Sequence, residues 1–275
     1  MRIRVAGAVL VAAAIVAAIV VTSGVMPVAG QAQTFRPART ADGKPNLTGI
    51  WQTMNTANWD IQAHEARPGP VVSLGAAFAV HPGPGVVEGN EIPYQPAAAK
   101  KKAENAANWM TLDPEVKCYM PGIPRATYQG FPFQIVQSTN TILMAYEFSS
   151  ASRVIRMNSK EQSPAPAWMG WSIGRWDGDT LVVDVTDNEE RTWLDRAGNF
   201  HSDALHLVER FTLADQNTLN YEVTVEDPKV FTRPWKMSMP IYRHLEKNAQ
   251  LMEYKCVPFV EELMYGHLRK RPTGR

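Results

Sequence analysis

The stretch Trp171-Ser-Ile-Gly-Arg-Trp-Asp-Gly-Asp-Thr-Leu-Val-Val-Asp-Val-Thr186 decides the fold of this chain. Two runs with apolar residues at alternate positions flank Asp177-Gly178-Asp179. Asp-Gly between two such runs is a strong signal for a tight β-hairpin, because both turn residues must tolerate a positive φ. The stretch therefore predicts two antiparallel strands, over 171–176 and 180–186.

The same pattern continues on both sides of this hairpin. Further strands are predicted near Trp51 and over 133–137, 142–148, 153–157, 204–213, 218–226, 235–243 and 251–256. Most of these strands are joined by short turns, and no helix alternates with them. The sequence thus predicts an all-β fold, an up-and-down antiparallel β-barrel of about ten strands, with a β-sandwich as the alternative.

The segment 56–111 interrupts the strand pattern. Prolines and glycines recur through it, and its one clear helical stretch is 96–109. A loop-rich insertion of this length in a single domain is typical of a flap or lid. A second short helix is predicted from Glu261. We expect one barrel domain over 33–275 that carries this irregular Pro/Gly-rich insertion.

The amino terminus has the pattern of a targeting segment. Arg2 and Arg4 precede an apolar run from Val5 to Val21, and small residues follow near Gly30. This pattern predicts a signal peptide over 1–32, with an uncleaved anchor as the alternative. No stretch after residue 40 is apolar enough to span a membrane. We expect a periplasmic or secreted protein.

The net charge, the cysteines and the motifs of the chain limit the classes of function that it can have. The formal net charge is +1, which gives no electrostatic case for nucleic-acid binding. The two cysteines, Cys118 and Cys256, predict a disulfide in an exported chain. No soft metal ligand is spaced near either cysteine, and no Gly-rich phosphate loop, Cys-x-x-Cys or His-Glu-x-x-His motif is present. The sequence therefore predicts neither a metal nor a cofactor, and it leaves the oligomeric state open.

One face of the predicted strands is rich in aromatic residues and methionine, which suits the lumen of a barrel. We expect this face to bind a small apolar or aromatic molecule. The residues predicted to line it are Trp51, Trp171, Tyr221, Trp235, Met237 and Met239.

Glu209 breaks this apolar face. It alternates with Leu205, Leu207 and Phe211, so it should point inward with them. An inward carboxylate needs a partner or a raised pKa. Two interpretations stay open: an ion pair with Arg153, Arg156 or Arg210 that plugs the barrel, or an acid/base group. Glu147 poses the same question on its own strand.

The loop 188–202 is longer than a hairpin needs, and loops at a barrel mouth commonly carry the binding site. Arg191, Trp193 and Asp195 are its predicted ligand contacts, and His201 with Asp203 is its predicted catalytic pair. A metal site that adds His206 is disfavoured, because position 206 points away from 201 and 203 in a strand. The structural alternative is a cap anchored by Trp193 and hydrogen-bonded through Asp195.

Several motifs together resemble a group of uncharacterised exported bacterial proteins that are lipocalin-like. The motifs are Leu47-Thr48-Gly49-Ile50-Trp51, Cys118-x-x-Pro121-Gly122-x-Pro124-Arg125, Trp176-Asp177-Gly178-Asp179-Thr180-Leu181-Val182-Val183, Thr192-Trp193-Leu194-Asp195 with His201-Ser202, Glu209-Arg210-Phe211, and Glu226-Asp227-Pro228-Lys229 with Pro234-Trp235. They cover most of the chain after the predicted signal peptide. The resemblance implies a secreted β-barrel and implies no reaction, cofactor or catalytic residue.

Three functions follow as hypotheses. The first is binding of a small apolar or aromatic molecule in the barrel. The second is a cofactor-free acid/base enzyme, an isomerase, lyase or hydrolase, in which His201 with Asp203 acts together with Glu209 or Glu147. The third is a structural or assembly partner at the cell envelope.

Overall fold

The computed structural model describes residues 35–69 and 71–268; the predicted signal peptide lies outside the described residues. Nine strands form one closed barrel, in which each strand pairs with the next along the chain and the last pairs with the first. The strands are β1 (Gly49–Gln52), β2 (Phe133–Gln137), β3 (Thr141–Tyr146), β4 (Ser152–Met157), β5 (Trp171–Asp177), β6 (Thr180–Thr186), β7 (His206–Leu213), β8 (Thr218–Glu226) and β9 (Trp235–Arg243). The all-β barrel prediction is confirmed.

Short helices accompany the barrel. The α-helices are α1 (Pro96–Ala107), α2 (Trp109–Leu112) and α3 (Val260–Tyr265), and single 3-10 turns lie at Val72–Phe78, Glu88–Asn90, Pro114–Lys117, Arg125–Tyr128, Phe148–Ser150 and Gly266–Leu268. Helix α1 begins with Pro96, whose fixed φ suits the first helical position. Both predicted helices are present, although the first is divided at Asn108.

The hairpin that decides the fold forms as expected. Asp177 pairs with Thr180 across the turn, and Gly178 has a φ of 58°. This left-handed conformation is one that glycine adopts without a steric cost, which explains why the Asp-Gly sequence terminates β5 and starts β6.

One pair of neighbouring strands departs from the up-and-down antiparallel arrangement. β4 and β5 run parallel, with Ile155 opposite Ser172 and Met157 opposite Gly174. A parallel pair requires the chain to return along the barrel before the next strand begins. Residues 158–170 make that return, so this connection is a crossover instead of a hairpin.

The tenth predicted strand, 251–256, does not form. β9 pairs with β8 along one edge, and its other edge is occupied by β1 at Tyr242 and Arg243 and by the insertion at Met237, so these positions are already paired. The segment instead packs outside the barrel, where Tyr254 contacts Phe131 and Phe148 with ring centroids 5.4 and 4.9 Å apart. Tyr254, one of the residues that suggested a strand, therefore makes this external contact.

The disulfide between Cys118 and Cys256 is present, as predicted, and joins residues 138 positions apart. It ties the segment that follows β9 to the segment that precedes β2. Among the described residues, no helix has the length and apolar character needed to cross a membrane.

The insertion between β1 and β2 completes the barrel wall. β1 pairs with β9 only at Trp51 with Arg243 and at Gln52 with Tyr242. Farther along β9, Val87 of the insertion bridges to Met237, and the Ser238 amide donates a 2.9 Å hydrogen bond to the Val86 carbonyl. The insertion thus lies beside β9 where β1 has ended, and its movement as a lid stays a prediction.

Candidate functional site

An ion pair occupies the barrel lumen. Glu209 lies opposite Val183 and Val223 in the sheet and faces inward, as the alternation predicts. Arg153 donates two hydrogen bonds to it, from Nη1 to Oε2 at 2.6 Å and from Nη2 to Oε1 at 3.2 Å. Tyr221 donates a third, from its hydroxyl to Oε1 at 2.8 Å. These contacts correspond to the barrel-plugging interpretation of Glu209.

Most of the residues predicted to bind a ligand in the lumen are buried. Trp51, Tyr221, Trp235, Met237 and Met239 are all at most 5% exposed. Met239 also borders a cavity of about 230 Å³, which it shares with the insertion. The Tyr221 hydroxyl is engaged by Glu209, so the structure shows these positions occupied mainly by contacts within the protein.

Trp51 is completely buried. Its Nε1 donates to the Leu47 carbonyl at 2.9 Å, and the Arg243 guanidinium lies 4.0 Å from the ring centroid. The indole N–H and one face of the Trp51 ring are therefore both occupied by groups of the protein itself.

Trp171 does not line the lumen. It pairs with Thr186, whereas its neighbour Ser172 pairs with the inward Val185, so the pleat directs Trp171 to the outer face. Arg156 covers the Trp171 ring there, with 3.7 Å between the guanidinium carbon and the ring centroid. Glu147 also lies outside the lumen, where it accepts a 2.8 Å hydrogen bond from the Met252 amide.

His201 and Asp203 do not form a pair. His201 is buried; its Nδ1 lies 2.9 Å from the Ser202 carbonyl and its Nε2 lies 2.6 Å from the Thr192 hydroxyl. Nδ1–H therefore donates, Nε2 accepts, and burial lowers the pKa of His201, which favours this neutral form. Asp203 is exposed and forms a 2.6 Å ion pair with Lys229. Among the hydrogen bonds and ion pairs of the described residues, none joins His201 or Asp203 to Glu209.

His206 lies on the outer face of the sheet, apart from His201. Its ring nitrogens lie 3.0 Å from Asp184 and 3.3 Å from Glu226. Within the described part of the chain, no group of three or more His, Cys, Asp or Glu side chains has the geometry to hold a metal ion.

We call the loop 188–202 the mouth loop. Its residues Arg191, Trp193 and Asp195 make three different sets of contacts. Arg191 is exposed, pairs with Glu189 at 2.9 Å and lies over the Trp168 ring. Trp193 is buried and bridges to Phe200 within the loop.

Asp195 ties the mouth loop to the insertion. Its Oδ2 accepts from the Ile61 amide at 2.9 Å and from Asn199 Nδ2 at 2.6 Å, and its Oδ1 accepts from the Asn199 amide at 3.1 Å. Burial raises the pKa of Asp195 to about 7, and the nearby Asp60 carboxylate adds to this, while the N–H donors oppose it. Asp195 is completely buried, and its carboxylate joins Asn199 of the mouth loop to Ile61 of the insertion.

Arg196, the next residue, is the centre of a charged and aromatic cluster. Its Nη2 donates to Glu115 Oε1 at 2.6 Å, and its guanidinium carbon lies 4.5 Å from the Trp59 ring centroid and 5.1 Å from that of Trp109. Burial acts to raise the pKa of Glu115, but Arg196 and Arg125 together lower it to about 2. Glu115 is therefore a carboxylate at neutral pH and holds Arg196 in place.

A cavity of about 320 Å³ opens beside Arg196, and we call it the Trp59–Trp109 pocket. Three segments border it: residues 59–80 of the insertion, the helices α1 and α2 of the insertion, and the mouth loop at Arg196 and Ala197. Its lining comprises Trp59, Asp60, Arg67, Pro68, Gly69, Val80, Lys102, Ala106, Trp109, Arg196 and Ala197. The two indole rings meet edge to face, with centroids 5.8 Å apart and planes at 77°. A volume at the lower end of the range for ligand sites suits one small molecule.

Sequence reasoning identified none of the pocket side chains as ligand contacts. Trp59 lies in irregular sequence, whereas Trp109 ends the helical stretch predicted over 96–109 and begins helix α2. Large aromatic side chains outside any strand pattern were the available signal, because a tryptophan in a loop needs a tertiary partner to be buried.

The comparisons with known proteins add no assignment to this geometry. No protein-family model matches the chain, and no curated protein matches it significantly.

Proposed function

We propose that this protein is an exported binding protein for a small aromatic anion, and that the ligand binds in the Trp59–Trp109 pocket. The observation that carries the proposal is the combination of two tryptophans and three cationic side chains around one cavity. The ligand class follows the expectation of a small aromatic molecule. Its position differs from the lumen, because the aromatic and methionine side chains on the inner faces of β8 and β9 are at most 5% exposed and the Arg153–Glu209 ion pair lies among them.

The charges of the pocket favour an anion. Arg67, Lys102 and Arg196 line it, and Asp60 is the one carboxylate in its lining. Arg196 is held by Glu115, and Arg67 lies 3.7 Å from Asp60. Lys102 forms no ion pair with the described residues, so its ammonium is the cation available to a ligand. A monoanionic ligand would balance this charge.

The indole rings favour a planar ligand. An aromatic ring gains from edge-to-face or offset packing against tryptophan, by about 0.5–1.5 kcal/mol beyond the burial of its area. Trp59 and Trp109 are both half-buried, so each retains surface for such a contact. The guanidinium of Arg196 over both rings fixes their orientation before a ligand arrives.

Export is supported by the disulfide. Disulfides such as Cys118–Cys256 persist in the periplasm and outside the cell and are rare in the cytosol. The residues of the predicted signal peptide point to the same compartment.

Isothermal titration calorimetry with three matched probes tests the proposal. Phenylacetate carries the ring and a negative charge, 2-phenylethanol carries the ring without charge, and phenethylamine carries the opposite charge. We expect phenylacetate to bind most tightly and phenethylamine most weakly. Equal binding of all three, or no measurable heat with phenylacetate at millimolar concentration, would contradict the proposal.

Two variants assign binding to the pocket. Lys102→Gln should weaken phenylacetate on the order of fivefold to tenfold, by removing a charge-assisted contact, and should leave 2-phenylethanol unchanged. Trp59→Leu should weaken both. Lys100→Gln is the matched control, since Lys100 is an exposed residue of the same helix and lies outside the pocket lining. Native mass spectrometry of the exported protein would show whether it carries such a ligand when purified.

A further inference from the structure

We propose that a second cavity of this protein is a binding site for a small quaternary ammonium cation. The cavity has a volume of about 260 Å³, and we call it the Phe131–Tyr254 cavity. Its walls come from residues 254–257, 260 and 261, from residues 115 and 116, and from the side chains of Phe131, Phe148 and Arg196. Arg196 is the one residue that also lines the Trp59–Trp109 pocket, and the inference does not rest on that pocket.

Three aromatic rings line the cavity and pack against one another. Phe148 lies 5.5 Å from Phe131 and 4.9 Å from Tyr254, measured between ring centroids, and Phe131 meets Tyr254 edge to face at 5.4 Å. Phe131 is still 37% exposed, so part of its surface is open to a ligand. The faces of aromatic rings attract cations, and aromatic sites use this attraction to recognise quaternary ammonium groups. The mutual packing fixes the rings before a ligand arrives.

One carboxylate of the cavity lacks a cation of its own. Arg196 binds Glu115 at 2.6 Å, and Lys255 binds Glu253 at 2.6 Å, so each of these cations already has a close partner. The side chain of Glu261 is only 18% exposed, and its ion-pair partner among the described residues is Arg196 at 3.7 Å. Because Arg196 lies closer to Glu115, a ligand cation would complete the charge balance at Glu261.

The lining favours a quaternary ammonium over a primary one. A primary ammonium brings three N–H donors that need acceptors. Both oxygens of Glu115 already accept hydrogen bonds from arginines, Oε1 from Arg196 and Oε2 from Arg125. Glu261 is therefore the lining carboxylate that remains available. A quaternary ammonium has no N–H donor, and its methyl groups suit the aromatic and valine side chains of the cavity. The volume lies just below the usual range for drug-sized ligands, so the cation must be small.

Isothermal titration calorimetry with choline tests the proposal. The matched probe is 3,3-dimethyl-1-butanol, which has the shape of choline with carbon in place of the cationic nitrogen. Ethanolamine is the primary ammonium probe. We expect choline to bind at least tenfold more tightly than either. Equal binding of choline and 3,3-dimethyl-1-butanol, tighter binding of ethanolamine, or no measurable heat with choline at millimolar concentration would overturn the proposal.

Free choline and the headgroup of phosphatidylcholine carry the same cation. Co-sedimentation with phosphatidylcholine vesicles distinguishes these two sources. Sedimentation that Glu261→Gln abolishes would identify the lipid headgroup as the ligand, whereas choline binding without sedimentation would identify a free molecule.

Matched variants assign choline to this cavity. Glu261→Gln should weaken choline about fivefold and leave 3,3-dimethyl-1-butanol unchanged, because it removes a charge and keeps the shape of the side chain. Glu262→Gln is the control, since Glu262 is an exposed neighbour on α3 and lies outside the lining. Phe131→Leu should weaken choline about twofold to fivefold by removing a cation–π contact.

Lys102→Gln separates this proposal from the proposed function. Lys102 lines the Trp59–Trp109 pocket and not the Phe131–Tyr254 cavity, so its substitution should weaken phenylacetate and leave choline unchanged. Choline binding that Lys102→Gln weakens and Glu261→Gln leaves intact would place the cation elsewhere and overturn the proposal.

Discussion

Arg153 and Glu209 form a two-point ion pair inside the barrel, with 2.6 Å between Nη1 and Oε2 and 3.2 Å between Nη2 and Oε1. Both side chains are almost completely excluded from solvent. A charge in such a position is tolerated only while its partner and its hydrogen bonds remain. The pair therefore makes the centre of the barrel sensitive to single substitutions in a way that an apolar core is not.

Glu209→Gln should destabilise the protein by about 3–5 kcal/mol, because it leaves the Arg153 charge buried without a partner. Glutamine keeps the size of the side chain and an acceptor for the Tyr221 hydroxyl, so the loss reports mainly on the missing charge. The free energy of unfolding in urea measures the effect.

The double variant R153M/E209Q is the control for this effect. Removing both charges should restore part of the lost stability, because no unpaired ion then remains in the lumen. Two results would contradict this prediction. The free energy of unfolding of Glu209→Gln could differ from that of the unmodified protein by less than about 1 kcal/mol, or the double variant could be less stable than Glu209→Gln.

Local sequence patterns were sufficient to predict the barrel and the inward position of Glu209. The Asp177-Gly178 turn and strict alternation along β6 to β9 are short-range signals, and a strand's pleat converts them directly into faces. Trp171 was assigned to the wrong face because the residues of β5 do not alternate cleanly, and only its register with β6 directs Ser172 inward. The strand expected over 251–256 was wrong because closure between β1 and β9 is a property of the whole sheet.

The Trp59–Trp109 pocket was beyond local prediction for a different reason. Its two tryptophans are 50 positions apart, one in an irregular segment and the other at the start of helix α2. They meet because Arg196, in a third segment, is held by Glu115 and lies over both rings. No short-range signal in the chain records such a three-segment contact.

Gly198→Ala should disrupt the contact between the mouth loop and helix α1. Gly198 has a φ of 84°, and a Cβ there would lie 2.5 Å from the Ala106 amide nitrogen and 2.6 Å from the Lys102 carbonyl oxygen. Both are backbone atoms, so the helix itself must move. We expect a loss of about 2 kcal/mol or more in unfolding free energy, together with weaker phenylacetate binding, because Lys102 and Ala106 line the pocket.

Gly178→Ala is the matched control for Gly198→Ala. Gly178 also has a positive φ, 58°, but no atom outside its immediate neighbours lies within 4 Å of the added Cβ. Gly178→Ala should lower the free energy of unfolding by about 1 kcal/mol, because alanine adopts a positive φ less readily than glycine. It should leave ligand affinity unchanged. Equal effects of the two substitutions on affinity would show that the close approach of Gly198 does not shape the pocket.

Asp195 should make the protein less stable as the pH rises from about 4 to about 7. Burial raises its pKa to about 7, well above the value near 3.9 expected in the unfolded chain. Because the folded state binds the proton more tightly, the stabilisation is fully present below about pH 3.9 and is lost as the pH rises through about 7. The contribution is on the order of 4 kcal/mol across this window, and urea unfolding at a series of pH values measures it.

Asp60→Asn isolates this effect without touching the hydrogen bonds that Asp195 accepts. The Asp60 carboxylate is the second cause of the raised pKa, after burial, so its removal should lower the pKa of Asp195. The loss of stability with pH should then end at a lower pH than in the unmodified protein, whereas Asp42→Asn, at an exposed position, should leave the profile unchanged. Contributions from other titrating groups cancel in the difference between protein and variant. Superimposable pH profiles for Asp60→Asn and the unmodified protein would mean that the Asp60 carboxylate does not raise the pKa of Asp195.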